Sequence, residues 1–189
     1  MKISTSTGEM LNFFGDEEGI RHLAKAGFDC LDFGMFYPES DWRFQLSEDD
    51  FLRYYRRLDE VVQECGIAVG QVHSPMVNYI YTGDESEGNL YFDLQVKAIR
   101  AAACLHSPYI IIHPVIPPQY RYSFYREETR KINRKYYGKL KKYLNEYGIR
   151  VGIENMENQS GTDYLNFTRS AQPAHIDDRI HGTARQFAM

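Results

Sequence analysis

The sequence predicts an α/β fold of the (β/α)₈ TIM-barrel type in which only the first five βα units are present, and three observations carry that prediction. Short apolar runs of strand type alternate with amphipathic helical stretches. The residues that end the predicted strands recur at near-constant spacing: Phe33 to His73 and His73 to His113 are each 40 residues apart, and His113 to Glu154 is 41. The loop after the first strand, Thr7-Gly8-Glu9-Met10-Leu11-Asn12-Phe13, lacks the glycine-rich phosphate fingerprint of a doubly wound sheet. Strand–helix alternation demands a parallel sheet, because parallel neighbours need a crossover element. The missing fingerprint turns the choice toward the barrel, which carries its chemistry on C-terminal strand ends.

The elements follow in order. A first strand covers residues 2–6, and Asp16 is expected to cap a helix over 17–26, with Gly27 past its end in the position that tolerates left-handed geometry. A second strand covers 28–33. Ser47-Glu48-Asp49-Asp50 starts the next helix, with acids near the positive end of its dipole. Phe51, Tyr55, Leu58, Val62 and Cys65 form one apolar face of that helix, and Gly66 closes it. Residues 67–73 make the third strand. A third helix carries Phe92, Val96, Ile99 and Ala103 and ends near Ser107-Pro108, before a fourth strand over 109–113. The fourth helix carries Ile132, Tyr136, Leu140, Tyr143 and Tyr147 and ends at Gly148, leading to a fifth strand over 150–154.

Composition narrows the function. With 43% hydrophobic and 25% charged residues over a length of 189, the chain has an ordinary soluble balance and enough residues for one real core. No apolar run approaches the ~20 residues of a membrane span. Cys30, Cys65 and Cys104 are an odd number with no metal-type or redox spacing. With a start of Met1-Lys2-Ile3-Ser4, which is no signal peptide, they point to a reducing cytoplasm. The net charge of −4 argues against nucleic acid as a partner. Residues 121–142 do hold nine Lys or Arg, but most fall on the fourth helix, where a solvated outer face is expected.

His73, His113 and Glu154 end three consecutive strands, so in a barrel they converge on one mouth. Two imidazoles and a carboxylate suit zinc, manganese or a similar divalent ion, with positions left for water or substrate. A carboxylate at the end of a buried strand needs a metal, a cation or a shifted pKa. Asp32, near the end of strand two, either turns inward to hydrogen-bond a metal-bound histidine or outward to the helix layer. The loops on this face are long and aromatic. The first holds Tyr37, Trp42 and Phe44 and the second Tyr79 and Tyr81, and Trp42 and Tyr79 are the candidate substrate-binding side chains.

In order and spacing, Gly27-Phe28-Asp29-Cys30-Leu31-Asp32-Phe33, Val72-His73-Ser74-Pro75, Ile112-His113-Pro114 and Ile153-Glu154-Asn155-Met156 resemble the xylose isomerase-like barrel superfamily. That group includes sugar-phosphate isomerases and epimerases and the endonuclease IV-type apurinic-site nucleases. The resemblance covers residues 1–158. It implies a divalent ion, manganese, zinc, magnesium or cobalt, on His73, His113 and Glu154, with Glu154 and His113 in catalysis and His73 also facing the substrate. In the isomerase and epimerase members such chemistry removes a proton next to a carbonyl through an enediolate. In the nuclease members the same three positions belong to a zinc site that hydrolyses a phosphodiester. The acidic balance favours a small sugar or sugar phosphate as partner.

The chain departs from the pattern in its tail. Compact barrels of this type run near ~250 residues. Residues 159–189 show neither a strand-type run nor a helical stripe, and His175, Asp177, Asp178 and His181 lie in a loop-like context. The expectation is a partial barrel over 1–158 followed by an irregular, frameshifted or truncated tail. Two open sheet edges then favour association with a second chain, and an inactive remnant or a half-barrel that binds a partner is the non-enzymatic alternative.

Overall fold

The computed structural model of the chain describes residues 2–35, 41–75, 85–115 and 126–154. Strands and helices alternate as β1 (Ser4–Ser6), α1 (Gly8–Phe14), α2 (Asp16–Lys25), β2 (Cys30–Gly34), a 3₁₀ turn (Trp42–Gln45), α3 (Glu48–Glu64), β3 (Ala68–His73), α4 (Glu85–Cys104), β4 (Tyr109–Ile112), α5 (Arg126–Tyr147) and β5 (Arg150–Ile153). The five strands pair in parallel in chain order, from β1 to β5. Each strand therefore lies beside its sequence neighbour, as expected for successive βα units of a barrel.

The apolar core fills the space between one face of this sheet and the helices. Leu31, Phe33, Val72, Ile110, Ile112 and Val151 pack against Ile20 and Leu23 of α2, Phe51, Tyr55, Leu58 and Val62 of α3, Ile99 of α4 and Leu140 of α5. The alternate strand positions, Asp32, Gln71, His73, Ile111 and Gly152, lie on the other face and but for Ile111 are polar or small. Ser47 caps α3 by accepting from Asp50 N–H at 3.2 Å. Gly66 and Gly148, at φ 65° and 66°, end α3 and α5 in the left-handed geometry that favours glycine. Cys30, Cys65 and Cys104 are free and half-buried, and no described helix is long and apolar enough to cross a membrane.

The structure corrects the sequence reading in four places. The stretch read as a loop after β1 is helix α1, whose Leu11 and Met10 lie against Gly19 of α2. A Cβ on Gly19 would meet Leu11 Cδ2 at 2.6 Å, so glycine is what lets the two short helices touch. Asp16 is the first residue of α2 rather than its side-chain cap, because its carboxylate instead accepts from Arg43 and Tyr54. Strands β4 and β5 stop one residue short of His113 and Glu154, which become the first residues beyond them. On α5 the buried line is Thr129, Asn133, Tyr137, Leu140 and Leu144, rotated from the expected apolar stripe. Its Lys131, Arg134, Lys135, Lys139, Lys141 and Lys142 are exposed, so this much of the basic stretch is a solvated face.

Strand β3 carries one extra residue against β2. Leu31 pairs with Val69 but Asp32 pairs with Gln71, leaving Gly70 as the bulge. A Cβ at Gly70 would sit 2.4 Å from Cys30 Sγ. Gly70→Ala is therefore expected to cost about 1–3 kcal/mol in urea unfolding. Adding Cys30→Ala should recover most of that loss, and an undiminished loss in the Cys30→Ala background would show that the sulfur is not the obstacle.

Candidate metal centre

Register decides which side chains meet. Asp32 pairs with Gln71, His73 with Ile111, and Ile111 with Gly152. Stepping two residues along each strand keeps the same face. His73 thus stands one inward step above Asp32, and His113 and Glu154 stand level with each other one step above His73. Backbone bonds carry the register past the strand ends: Ser74 N–H donates to Ile111 O at 2.9 Å, and Glu154 N–H donates to Ile112 O at 3.3 Å. On the β2 side, Met35 N–H donates to His73 O at 2.9 Å and Gly34 N–H to Thr7 Oγ1 at 3.1 Å.

Two imidazoles converge on one carboxylate oxygen. His73 Nε2 lies 2.9 Å and His113 Nε2 2.7 Å from Glu154 Oε2. The two rings are 5.7 Å apart between centroids. On its other side, His73 Nδ1 lies 3.1 Å and 3.2 Å from the two oxygens of Asp32. Asp32 therefore turns inward, resolving the choice that alternation alone left open. Both histidines and Asp32 are buried, and Glu154 is half-buried.

The charges follow from this geometry. Burial alone would lower the pKa of His73, but its hydrogen bonds and charge attraction to Asp32 and Glu154 outweigh burial and push it up to about 9. Hydrogen bonds from His113 and His73 hold the Glu154 carboxyl well below the usual carboxylate range, against the opposing effect of burial. In the metal-free chain, His73 carries its proton between two carboxylates.

The same residues fit a divalent cation. One ligand atom from each of His73, His113 and Glu154 lies within 4.8 Å of the others. Two imidazole nitrogens and a carboxylate oxygen form a three-ligand set that leaves a position for water or substrate. Asp32 holds the Nδ1–H of His73, which fixes the tautomer that frees Nε2 as a ligand. His113 Nδ1 is buried without a hydrogen-bond partner among the described residues.

The other candidates lie differently. Trp42 is 57% exposed and packs edge-on against Tyr54 of α3 at 5.0 Å. The adjoining Arg43 is held between Asp41, at 2.6 Å, and Asp16, at 3.0 Å. Tyr79, Tyr37, Tyr81, Asn155, Met156 and the tail residues His175, Asp177, Asp178 and His181 lie outside the described residues. Sequence reading missed Asn133 and Tyr137 of α5, whose side chains bond the backbone around His113. Their signal was present as the helical repeat 129, 133, 137, 140, 144, which is visible only if polar residues are admitted to a buried stripe.

A family model described as xylose isomerase-like TIM barrel matches residues 20–182. No curated protein matches the sequence. Among solved structures, the fold is similar to that of a D-tagatose 3-epimerase-like protein, with a TM-score of 0.66 and 19% identity over 93% of this chain and 63% of that one. It is similar to the 3-keto-D-glucoside 4-epimerase of E. coli, with a TM-score of 0.67 and 15% identity over 94% and 66% of the two chains. A D-psicose 3-epimerase solved in the presence of D-fructose gives a TM-score of 0.67 and 13% identity over 94% and 62%. At these identities the likeness is one of fold, and the chain spans less than two thirds of each of the three.

The coupled charges set a pH dependence for the metal-free chain. His73, raised from 6.5 to about 9, contributes stability that is fully present below pH 6.5 and lost as pH rises through 9. Glu154, lowered from 4.5, contributes stability present above pH 4.5 and lost on further acidification. Melting temperature in chelator should thus fall between pH 6.5 and 9.5, and His73→Gln should flatten this alkaline fall. An equal fall in His73→Gln would assign it to other groups.

Proposed function

The chain belongs to the xylose isomerase-like TIM barrel family, and from that premise we propose that it acts as a divalent-metal-dependent sugar or sugar-phosphate isomerase or epimerase. The observation that carries the reading is the convergence of His73 Nε2 and His113 Nε2 on one oxygen of Glu154, at the C-terminal strand ends. Sugar epimerases are among the similar solved structures, which supports a polyhydroxylated carbonyl substrate.

His73, His113 and Glu154 would hold the cation, whose part is to polarise the substrate carbonyl and offset negative charge developing on its oxygen. The remaining work belongs to side chains. Glu154, ionised at neutral pH, accepts the proton from the carbon next to the carbonyl and returns it. His113 would serve the reaction as a ligand, keeping the cation beside the substrate oxygen. His73, braced by Asp32 at Nδ1, lies beside Glu154 and would line the substrate position with its ring. Trp42 and Tyr79 are assigned to the sugar from the adjoining loops.

One observation favours a second reading. Two of the three ligands are imidazoles, a donor set that suits zinc, and zinc hydrolysis of a phosphodiester in apurinic DNA would use the same three residues.

Two measurements test the proposal, the first its cation site and the second its reaction. After chelation, manganese or zinc should raise the melting temperature, by about 2.7 kcal/mol of stability at a hundredfold excess over the dissociation constant. His113→Ala combined with Glu154→Ala should abolish the gain, and a gain that persists would place the cation elsewhere. In D₂O, a ketose such as D-fructose should take up deuterium at the carbon beside its carbonyl. Cleavage of an abasic oligonucleotide with no isotope uptake would transfer the site to the hydrolytic reading.

A further inference from the structure

We infer that Asn133 and Tyr137, on the buried face of α5, are positioning residues that set His113 in place for cation binding, an inference that rests on the metal reading above. Leu140 and Leu144 continue the same helix face as ordinary core residues. Asn133 and Tyr137 occupy it at 2% and 3% exposure, where an unpaired amide costs about 1–3 kcal/mol. Neither is unpaired. Asn133 Oδ1 accepts from Val115 N–H at 2.8 Å, and its Nδ2 donates to Val115 O and to Thr129 O, each at 2.8 Å. The Tyr137 hydroxyl shares its one proton between the carbonyls of Ile112, at 3.1 Å, and His113, at 3.2 Å.

These bonds fall on the segment where His113 most needs support. β4 ends at Ile112, so the ladder no longer governs residues 113–115. The two histidines also differ in their bracing. Asp32 orients His73 through Nδ1, whereas Nδ1 of His113 has no hydrogen-bond partner among the described residues. Since among the described residues no side chain grips its far nitrogen, the placement of the His113 ring rests on its backbone and on the Glu154 contact at Nε2. α5 holds that backbone on both sides of the residue: at 112 and 113 through Tyr137, and at 115 through Asn133. The clamp therefore does for His113, through the main chain, what Asp32 does for His73 through the ring.

The test uses the full chain with Tyr137→Phe, which keeps the ring and removes only the hydroxyl, alongside Asn133→Ala. Leu144→Ala, which hollows the same helix face without touching the clamp, is the comparison. In metal-free protein labelled at the histidine ring carbons, Tyr137→Phe and Asn133→Ala should move the His113 resonance and leave those of His22 and His106 unchanged. Each should also weaken Mn²⁺ binding about 10-fold by calorimetry. Leu144→Ala should lower the melting temperature with Mn²⁺ affinity unchanged. An unmoved His113 resonance in both clamp variants overturns the inference, as does Leu144→Ala weakening Mn²⁺ as much as Tyr137→Phe. If wild-type protein binds neither Mn²⁺ nor Zn²⁺, the metal reading fails by itself, and the resonance arm still decides whether α5 sets His113.

Discussion

A single carboxylate oxygen, Glu154 Oε2, receives both imidazoles of the strand-end cluster, and the rest of the architecture keeps those three groups in reach of one another. They come from three different strands, so their meeting depends on parallel register. A slip of one residue in β3, β4 or β5 would turn the corresponding side chain from the mouth to the helix layer. The cluster in turn resists such a slip, because it would strand a buried histidine or a half-buried carboxylate without its partner. Register and site thus stabilise each other.

The charge balance explains how so polar a group tolerates burial. Two carboxylates, Asp32 and Glu154, flank the His73 ring, and the proton held there takes the place of a cation between them. A divalent ion would displace that proton, so cation binding and acidity compete for one position. Asp32 remains useful in both situations. It pairs with the imidazolium in one and orients the neutral ring as a ligand in the other.

Polar side chains of the helix layer recur as supports for the loop backbones at this end of the sheet. Lys97 of α4 donates to the carbonyls of Phe44 and Leu46 at 3.1 and 3.0 Å, and Gln95 donates to Pro75 at 3.1 Å. Asn133 and Tyr137 do the same for residues 112–115. Arg43, wedged between Asp41 and Asp16, ties the 3₁₀ turn to the start of α2. Loop backbone that leaves the ladder yet lies under other chain must find partners, and each such bond contributes only about 0.5–1.5 kcal/mol. Their value here lies in direction: they fix where the strand-end residues point.

Local pattern was enough to read much of this from the residues in order. Alternating apolar runs and amphipathic stretches marked five strands and four helices, and the 40-residue spacing of Phe33, His73 and His113, continued by Glu154, marked the candidate ligands. These signals survive in one dimension because strand period, helix period and helix stops are properties of neighbouring residues. Helix α1 was not legible, since seven residues without a side-chain cap stand only by packing at Gly19. The phase of α5 was hidden for a related reason: Asn133 is buried because a loop backbone elsewhere in the chain, at Val115, offers its amide two partners. The direction of Asp32 and the brace it gives His73 likewise depend on a bulge at Gly70 and on pairing between β2 and β3. Sequence by itself determined which residues stand at the strand ends. Only the tertiary structure decided which of them share an oxygen and which helix holds them, because contacts between distant segments have no period along the chain.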